Sequence, residues 1–149
     1  ELVRRIEQAD GGIEIVQTLR ETRFPFRVPS VFTSTASDST IEVHEAPILA
    51  ATPYIRYRRE TIEKGLRVTG RTLNSDEIRA LSRVEEEITK SGLSYNFLLQ
   101  RGDVVFMNNH ELLHSRTAFT DPGRFLIRVR MRENPENSRR LANERILHR

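Results

Sequence analysis

Residues 98–131 have the sequence LLQRGDVVFMNNHELLHSRTAFTDPGRFLIRVRM. Within it, residues 110–114 read His-Glu-x-x-His, a pattern that binds zinc when it lies on a helix. That chemistry needs both histidines on one helix face, with the glutamate oriented as general base. The interpretation therefore depends on whether residues 104–118 are helical or extended.

Local signals favour a strand and a turn around the two histidines. Residues 104–107 are apolar and partly β-branched, and two asparagines follow, which is typical of a strand that ends in a turn. Asp-Pro-Gly at 121–123 would end a helix within two turns. Glu133 has the spacing of a third zinc ligand but would follow a strand. A zinc metallohydrolase that uses residues 110–114 is therefore the less favoured alternative.

The composition indicates a single small domain. Its 149 residues suffice for one core, and no apolar run could span a membrane, so no membrane partner is expected. Cysteine is absent, which rules out disulfides and thiolate metal sites and fits a cytoplasmic location. The net charge of +3 comes from scattered arginines without an aromatic-interleaved basic patch, so we expect no nucleic-acid partner.

Two segments have the periodicity of helices. Residues 11–20 carry apolar side chains at helical spacing. Residues 75–91 have a longer apolar stripe, with Asn74 as N-cap, Glu77 completing a capping box and Gly92 as the residue after the C-cap.

Strands are predicted through the rest of the chain, and they dominate its second half. Alternating or β-branched runs occur at 41–49, where Pro47 interrupts the strand, and at 54–62, 95–99, 104–107 and 124–131, with a turn at 100–103. Residues 24–30 contain two prolines and are predicted to form an irregular strand or a loop. The sequence therefore predicts a mainly β protein with flanking helices. The C-terminal residues 139–149 are predicted to form a short helix or a frayed tail.

Three side chains then suggest an anion and metal site. In the strand-and-turn interpretation, His114 lies on a strand and points into a pocket, and the alternation of residues 124–131 places Arg124 and Arg128 on one face. Inward-facing arginines on a core strand need an anion. A histidine beside them suits a metal site that binds a dicarboxylate. The alternation alone leaves open that both arginines face solvent.

Residues 98–131 resemble the last part of the iron(II)/2-oxoglutarate-dependent oxygenases of the taurine dioxygenase and clavaminate synthase-like (TauD/TfdA) group. Upstream, residues 23–30, 46–49 and 55–66 also resemble this group, so the resemblance covers nearly the whole chain. The matching positions, in order, are Leu99, Gly102-Asp103, Val104–Phe106, Asn109, Leu113–Arg116, Phe119 and Arg124–Arg128.

The resemblance implies a double-stranded β-helix, or jelly roll, that is incomplete here. It implies Fe(II), the cosubstrate 2-oxoglutarate, molecular oxygen and a small amino-acid-like substrate. His114 would be the distal histidine of a triad of two histidines and one carboxylate that binds the iron. Arg124 would pair with the far carboxylate of 2-oxoglutarate, with Arg128 as a helper or a substrate contact. His110 would occupy a variable position.

The chain departs from the family pattern at the other two iron ligands. The family takes them from a His-x-Asp or His-x-Glu motif, but none of the four histidines here has a carboxylate two positions later. We therefore expect residues 1–149, which begin with a residue other than methionine, to be the C-terminal part of a single oxygenase domain. We also expect exposed strand edges and association into oligomers. The alternative is a non-catalytic jelly-roll binding module.

The substrate-binding residues are not determined by the sequence. Arg56, Arg58 and Arg128 are candidates to bind a substrate carboxylate, and each could equally be a surface residue.

Overall fold

A computed structural model describes residues 1–29, 41–50, 54–90, 92, 94–118, 120, 123, 125–129 and 131. The chain divides into two compact units, Glu1–Ser115 and Arg116–Arg149. The described helices and strands all belong to the first unit. In chain order they are α1 (Leu2–Glu7), α2 (Gly12–Glu21), β1 (Phe24–Arg27), β2 (Val43–Ala46), β3 (Leu49–Ala50), β4 (Tyr54–Ile55), α3 (Arg59–Thr69) and α4 (Ser75–Thr89).

Helices α2 and α4 confirm both helix predictions. At the start of α4, the Asn74 side chain accepts a hydrogen bond from the Glu77 N–H at 2.9 Å. The Glu77 carboxylate accepts one from the Asn74 N–H at 3.0 Å, which completes the predicted capping box. The end of α4 differs slightly from the prediction, because Lys90 is the C-cap and Gly92 lies one position beyond the expected one.

Helix α3 corrects the strand predicted at 54–62. Only Tyr54–Ile55 is extended as a strand, and the helix begins at Arg59. The helix is favoured because Ile62 is buried while charged pairs four residues apart, such as Arg59–Glu63 at 2.9 Å, lie along its exposed side. The alternation that suggested a strand spans too few residues to outweigh this pattern.

The core of the first unit lies among the helices and the short strands. Helix α3 packs on β1, α2 packs on α4 and β3, and α1 packs on α2 and α4. The buried apolar side chains are Ile6, Ile15, Val16, Leu19, Phe24, Phe26, Ile48, Leu49, Ile62, Ala80, Leu81 and Val84.

The α3–β1 contact requires a glycine in the helix. A Cβ atom added at Gly65 would lie 2.2 Å from the carbonyl oxygen of Pro25. The two backbones therefore approach more closely than any side chain at position 65 would allow. This contact fixes α3 against the strand that carries Phe26.

The strands form two small antiparallel sheets. Strand β1 pairs with β2, with Phe24 opposite Ala46. Strand β3 pairs with β4, with Leu49 opposite Ile55. Residues 24–30, predicted to form an irregular strand or a loop, contain strand β1 as far as Arg27. The strand predicted at 41–49 is divided between β2 and β3, and the predicted interruption at Pro47 lies between them.

The mainly β content that the sequence predicts is not found in the described residues, where helical positions outnumber strand positions. The strands predicted at 95–99 and 104–107 are wrong, since both runs are irregular and Tyr95 and Phe106 are 86% and 78% exposed. A strand forms only against a partner, and these runs have none among the described residues. The jelly roll implied by the resemblance is accordingly not confirmed by these elements.

The described residues of the second unit contain neither helix nor strand. Residues 125–129 are exposed and irregular, in contrast to the alternating strand predicted at 124–131. The prediction for residues 139–149 lies outside the described residues.

Candidate functional site

Both predicted turns are present, at residues 100–103 and 108–111. At 100–103, the Asp103 N–H donates to the Gln100 carbonyl at 3.1 Å, and the Gln100 N–H donates to the Asp103 carboxylate at 2.7 Å. At 108–111, the Asn108 carbonyl accepts from the Glu111 N–H at 3.2 Å. The Asn108 side chain also accepts from the His110 N–H at 3.1 Å, which is a typical use of asparagine in a turn.

The turn at 108–111 is incompatible with the helix that a zinc hydrolase would need at residues 110–114. Residues 104–118 contain no helix, so His110 and His114 do not share a helix face. The Glu111 carboxylate accepts a hydrogen bond from the Asn108 amide at 2.8 Å and is occupied within the turn. The interpretation of residues 110–114 as strand and turn is confirmed for the turn, and the helix required by the zinc alternative is absent.

The structure describes only two of the three residues predicted to bind iron and 2-oxoglutarate, His114 and Arg128. His114 is exposed in an irregular segment, and no described residue hydrogen-bonds its imidazole. The expectation that it lies on a strand facing a pocket is therefore wrong. Arg128 is also exposed, and Arg124 lies outside the described residues, so their shared face stays a prediction.

The described residues do not bring together the metal-binding triad that the resemblance implies. Within the part of the chain that the structure describes, no group of three or more histidine, cysteine, aspartate or glutamate side chains could hold a metal ion. These residues by themselves do not fit an iron site with two histidines and a carboxylate.

A different cluster does come together, around Arg56. One guanidinium nitrogen of Arg56 donates to the Tyr54 hydroxyl at 2.7 Å. The guanidinium carbon lies 5.9 Å from the centroid of the Phe26 ring and 5.6 Å from that of Tyr54, within the range of cation–π contacts. The backbone is fixed as well, because the Arg56 N–H donates to the carbonyl of buried Ile48 at 2.8 Å.

The 108–111 turn docks on this cluster through His110. The His110 carbonyl accepts from the Ile55 N–H at 2.8 Å, where β4 ends. The His110 ring lies 4.8 Å from the Tyr54 ring, centroid to centroid, at an interplanar angle of 36°. The sequence analysis named Arg56 only as one of three candidates to bind a substrate carboxylate, and it gave His110 a role only in the zinc alternative. No local signal could have found a contact between residues so far apart in the chain.

The arginines near this cluster differ in their partners. Arg58, two residues after Arg56, is exposed and pairs with Glu60 at 3.3 Å. The pKa of Glu60 lies below its ordinary value because Lys64 donates a hydrogen bond to it, with a smaller contribution from Arg58. Arg56 is half-buried, and no carboxylate among the described residues pairs with it. The structure thus separates two arginines that the sequence left equivalent.

Two concave surfaces in the first unit lie elsewhere. One is formed by residues 9–14 with Arg79, and the other by residues along α2 with Glu7. Neither includes a residue predicted to bind metal, cosubstrate or substrate.

Among the described residues, no helix is both long and apolar enough to cross a membrane.

The class of protein follows from comparison with known families. Residues 11–130 match the family described as "Taurine catabolism dioxygenase TauD, TfdA family". Since the match covers most of the chain, the chain belongs to this family, and the resemblance drawn from residues 98–131 is confirmed. Proteins of the family generally use Fe(II) and 2-oxoglutarate as dioxygenases. Comparison with curated proteins and with solved structures gives no significant match.

Proposed function

We propose that the chain is part of a non-haem Fe(II)/2-oxoglutarate-dependent oxygenase. The reaction would hydroxylate a small amino-acid-like substrate with molecular oxygen, while 2-oxoglutarate is decarboxylated to succinate and CO₂. The observation that carries this proposal is the family match over residues 11–130. The fold proposed for the complete domain is a jelly roll, of which the two small sheets described here would be a part.

The residue roles follow from the order of the matching positions. His114 is proposed as one iron ligand, because the family pattern places a ligand histidine after Gly-Asp and Asn. Arg124 is proposed to bind the far carboxylate of 2-oxoglutarate, with Arg128 assisting. Arginine suits this role because its planar guanidinium donates two parallel hydrogen bonds to a carboxylate.

We further propose that residues 1–149 form the C-terminal part of a single oxygenase domain. The proposal rests on the content of the sequence, in which no histidine is followed two positions later by a carboxylate. The remaining two iron ligands would then be supplied by a His-x-Asp or His-x-Glu motif that precedes Glu1 in the native gene product.

The test is succinate formation by the native gene product with Fe(II), 2-oxoglutarate and oxygen. His114→Ala is expected to abolish it, because a triad that loses one ligand no longer holds the metal. Arg124→Gln is expected to raise the KM for 2-oxoglutarate by roughly 10- to 100-fold, the effect of losing a charged hydrogen-bond pair. Arg67→Gln, an exposed arginine on α3, is the matched control.

Two results would contradict the proposal. The first is succinate formation by His114→Ala at the rate of the unmodified protein. The second is a native reading frame that adds no His-x-Asp or His-x-Glu motif, in which case a non-catalytic binding module becomes the better account of this fold.

A further inference from the structure

We propose that Arg56, with Tyr54 and His110, forms a subsite that binds the carboxylate group of the organic substrate. This inference rests on the proposed function, because it assigns the subsite to that reaction's substrate. The contacts of Arg56 involve none of the residues proposed for iron and 2-oxoglutarate, and they select one arginine among the three candidates that the sequence left open.

The first step of the argument is the charge balance of Arg56. In the described residues around it, Arg58 pairs with Glu60 and Arg59 pairs with Glu63. The half-buried Arg56 instead contacts a neutral hydroxyl and two aromatic rings. A guanidinium partly removed from water without a counter-ion is unfavourable. An anion from outside the chain would remove this cost.

The second step is the pre-organisation of the guanidinium. The guanidinium lies beside the Phe26 and Tyr54 rings, and the 2.7 Å hydrogen bond to the Tyr54 hydroxyl uses only one of its five N–H donors. The backbone of Arg56 is tied to Ile48. The entropic cost of ordering a long side chain on binding is therefore already largely met by the fold.

The third step concerns the link to the proposed metal ligand. His110 brings the 108–111 turn to Tyr54 through its ring and to Ile55 through its carbonyl. His114 follows four residues later on the same segment. An anion at Arg56 would thus be bound by the surface that holds the segment carrying the proposed iron ligand. That is the location expected for an anchoring group of a substrate.

The chemistry of the subsite favours a carboxylate over a phosphate. One planar guanidinium with neutral and aromatic neighbours matches a planar anion of single charge. A phosphate carries more charge and is usually bound by several cations or by backbone N–H groups. The next arginine along the chain, Arg58, is already paired with Glu60.

The carboxylate could come from the substrate or from 2-oxoglutarate, and binding experiments separate the two. Isothermal titration calorimetry on the native gene product, without iron or oxygen, would use the proteinogenic L-amino acids as probes. The amino acid that binds most tightly is then compared with its carboxamide. Its own titration is also repeated in saturating 2-oxoglutarate. We expect the carboxamide to bind at least tenfold more weakly, and 2-oxoglutarate to leave the amino-acid Kd unchanged.

Variants locate the site. Arg56→Gln is expected to raise the amino-acid Kd by roughly 10- to 100-fold, with Arg56→Lys in between because it keeps the charge but loses the planar fork. Arg58→Gln, which removes the same charge two residues away, is expected to stay within twofold. Tyr54→Phe, which leaves the ring in place, is expected to weaken binding severalfold and provides a second test should Arg56→Gln fail to fold.

Four outcomes would overturn the subsite. They are no binding by any amino acid, equal binding of the carboxamide, equal Kd values for the Arg56 and Arg58 variants, and competition by 2-oxoglutarate, which would assign Arg56 to the cosubstrate. Failure of the proposed function is distinguishable from these. It would appear as Arg56-dependent binding in a protein that forms no succinate.

Discussion

Replacing Gly65 by alanine tests the packing that fixes α3 against β1, and through it the position of Phe26 under Arg56. The added Cβ would lie 2.2 Å from the oxygen, 2.7 Å from the carbonyl carbon and 3.1 Å from the Cβ of Pro25. Ordinary carbon contacts are at about 3.5 Å, so the helix and the strand would have to separate by roughly 1 Å. No change of rotamer can relieve the clash, because its closest atoms belong to the backbone.

The expected size of the effect combines two opposing contributions. Overpacking of this kind costs about 1–3 kcal/mol, and the rigidity of a backbone contact places Gly65→Ala at the upper end. Alanine is the better helix former by about 1 kcal/mol, which offsets part of this cost. We therefore expect the free energy of unfolding to fall by about 2 kcal/mol.

Urea unfolding of the full chain, followed by far-ultraviolet circular dichroism, measures this change as a lower midpoint at unchanged slope. Arg67→Ala, at an exposed position of the same helix, is the control and should change the free energy by no more than about 0.5 kcal/mol. A Gly65→Ala protein as stable as the unmodified chain would refute the close approach of α3 to Pro25.

Three further predictions follow from the described contacts. Asn74→Ala should destabilise the protein by about 1 kcal/mol in the same urea assay, whereas Asn74→Asp, which can still cap α4, should cost much less. The hydrogen bond from Lys90 lowers the pKa of Glu87. The ionised carboxylate therefore stabilises the fold at pH values above 4.5, the ordinary pKa of the group, and this stabilisation is lost as the pH falls through the lowered pKa. Glu87→Gln should therefore be less stable than the unmodified chain at pH 7 and approach it in acid; a difference independent of pH would contradict this. The exposed apolar side chains of residues 95–107 should cause concentration-dependent association in sedimentation velocity, and a single monomeric species at all concentrations would count against it.

The parts of the fold that the sequence predicted are those set by near neighbours. The capping box of α4 needs only Asn74 and Glu77, three residues apart, and it forms as predicted. The turn at 108–111 likewise depends on one asparagine and its own backbone. Such features depend on local contacts alone, so one sequence is enough to predict them.

The failed predictions are those that need a distant partner. The runs at 95–99 and 104–107 have the composition of strands, but pairing decides whether a strand forms, and pairing is not encoded within the run itself. The candidate site shows the same contrast between features that the sequence predicts and contacts that depend on distant residues. The order of residues 98–131 was sufficient to identify the family, since a motif is read along the chain. The approach of Phe26 and His110 to Tyr54 and Arg56 required the fold.

This division changes how the two histidines of the zinc-like pattern should be understood. His110 and His114 look equivalent in His-Glu-x-x-His, and a helix would have made them equivalent ligands. The turn gives them different environments, with His110 held against Tyr54 and Ile55 and His114 exposed without a hydrogen-bonding partner among the described residues. A metal ligand must keep its nitrogen lone pair available, which suits the exposed histidine. A residue that positions the segment must be tied down, which suits the other. The contacts thus argue against a metal shared by the two histidines: His110 is held in the turn by Tyr54 and Ile55, whereas His114 is exposed four residues later.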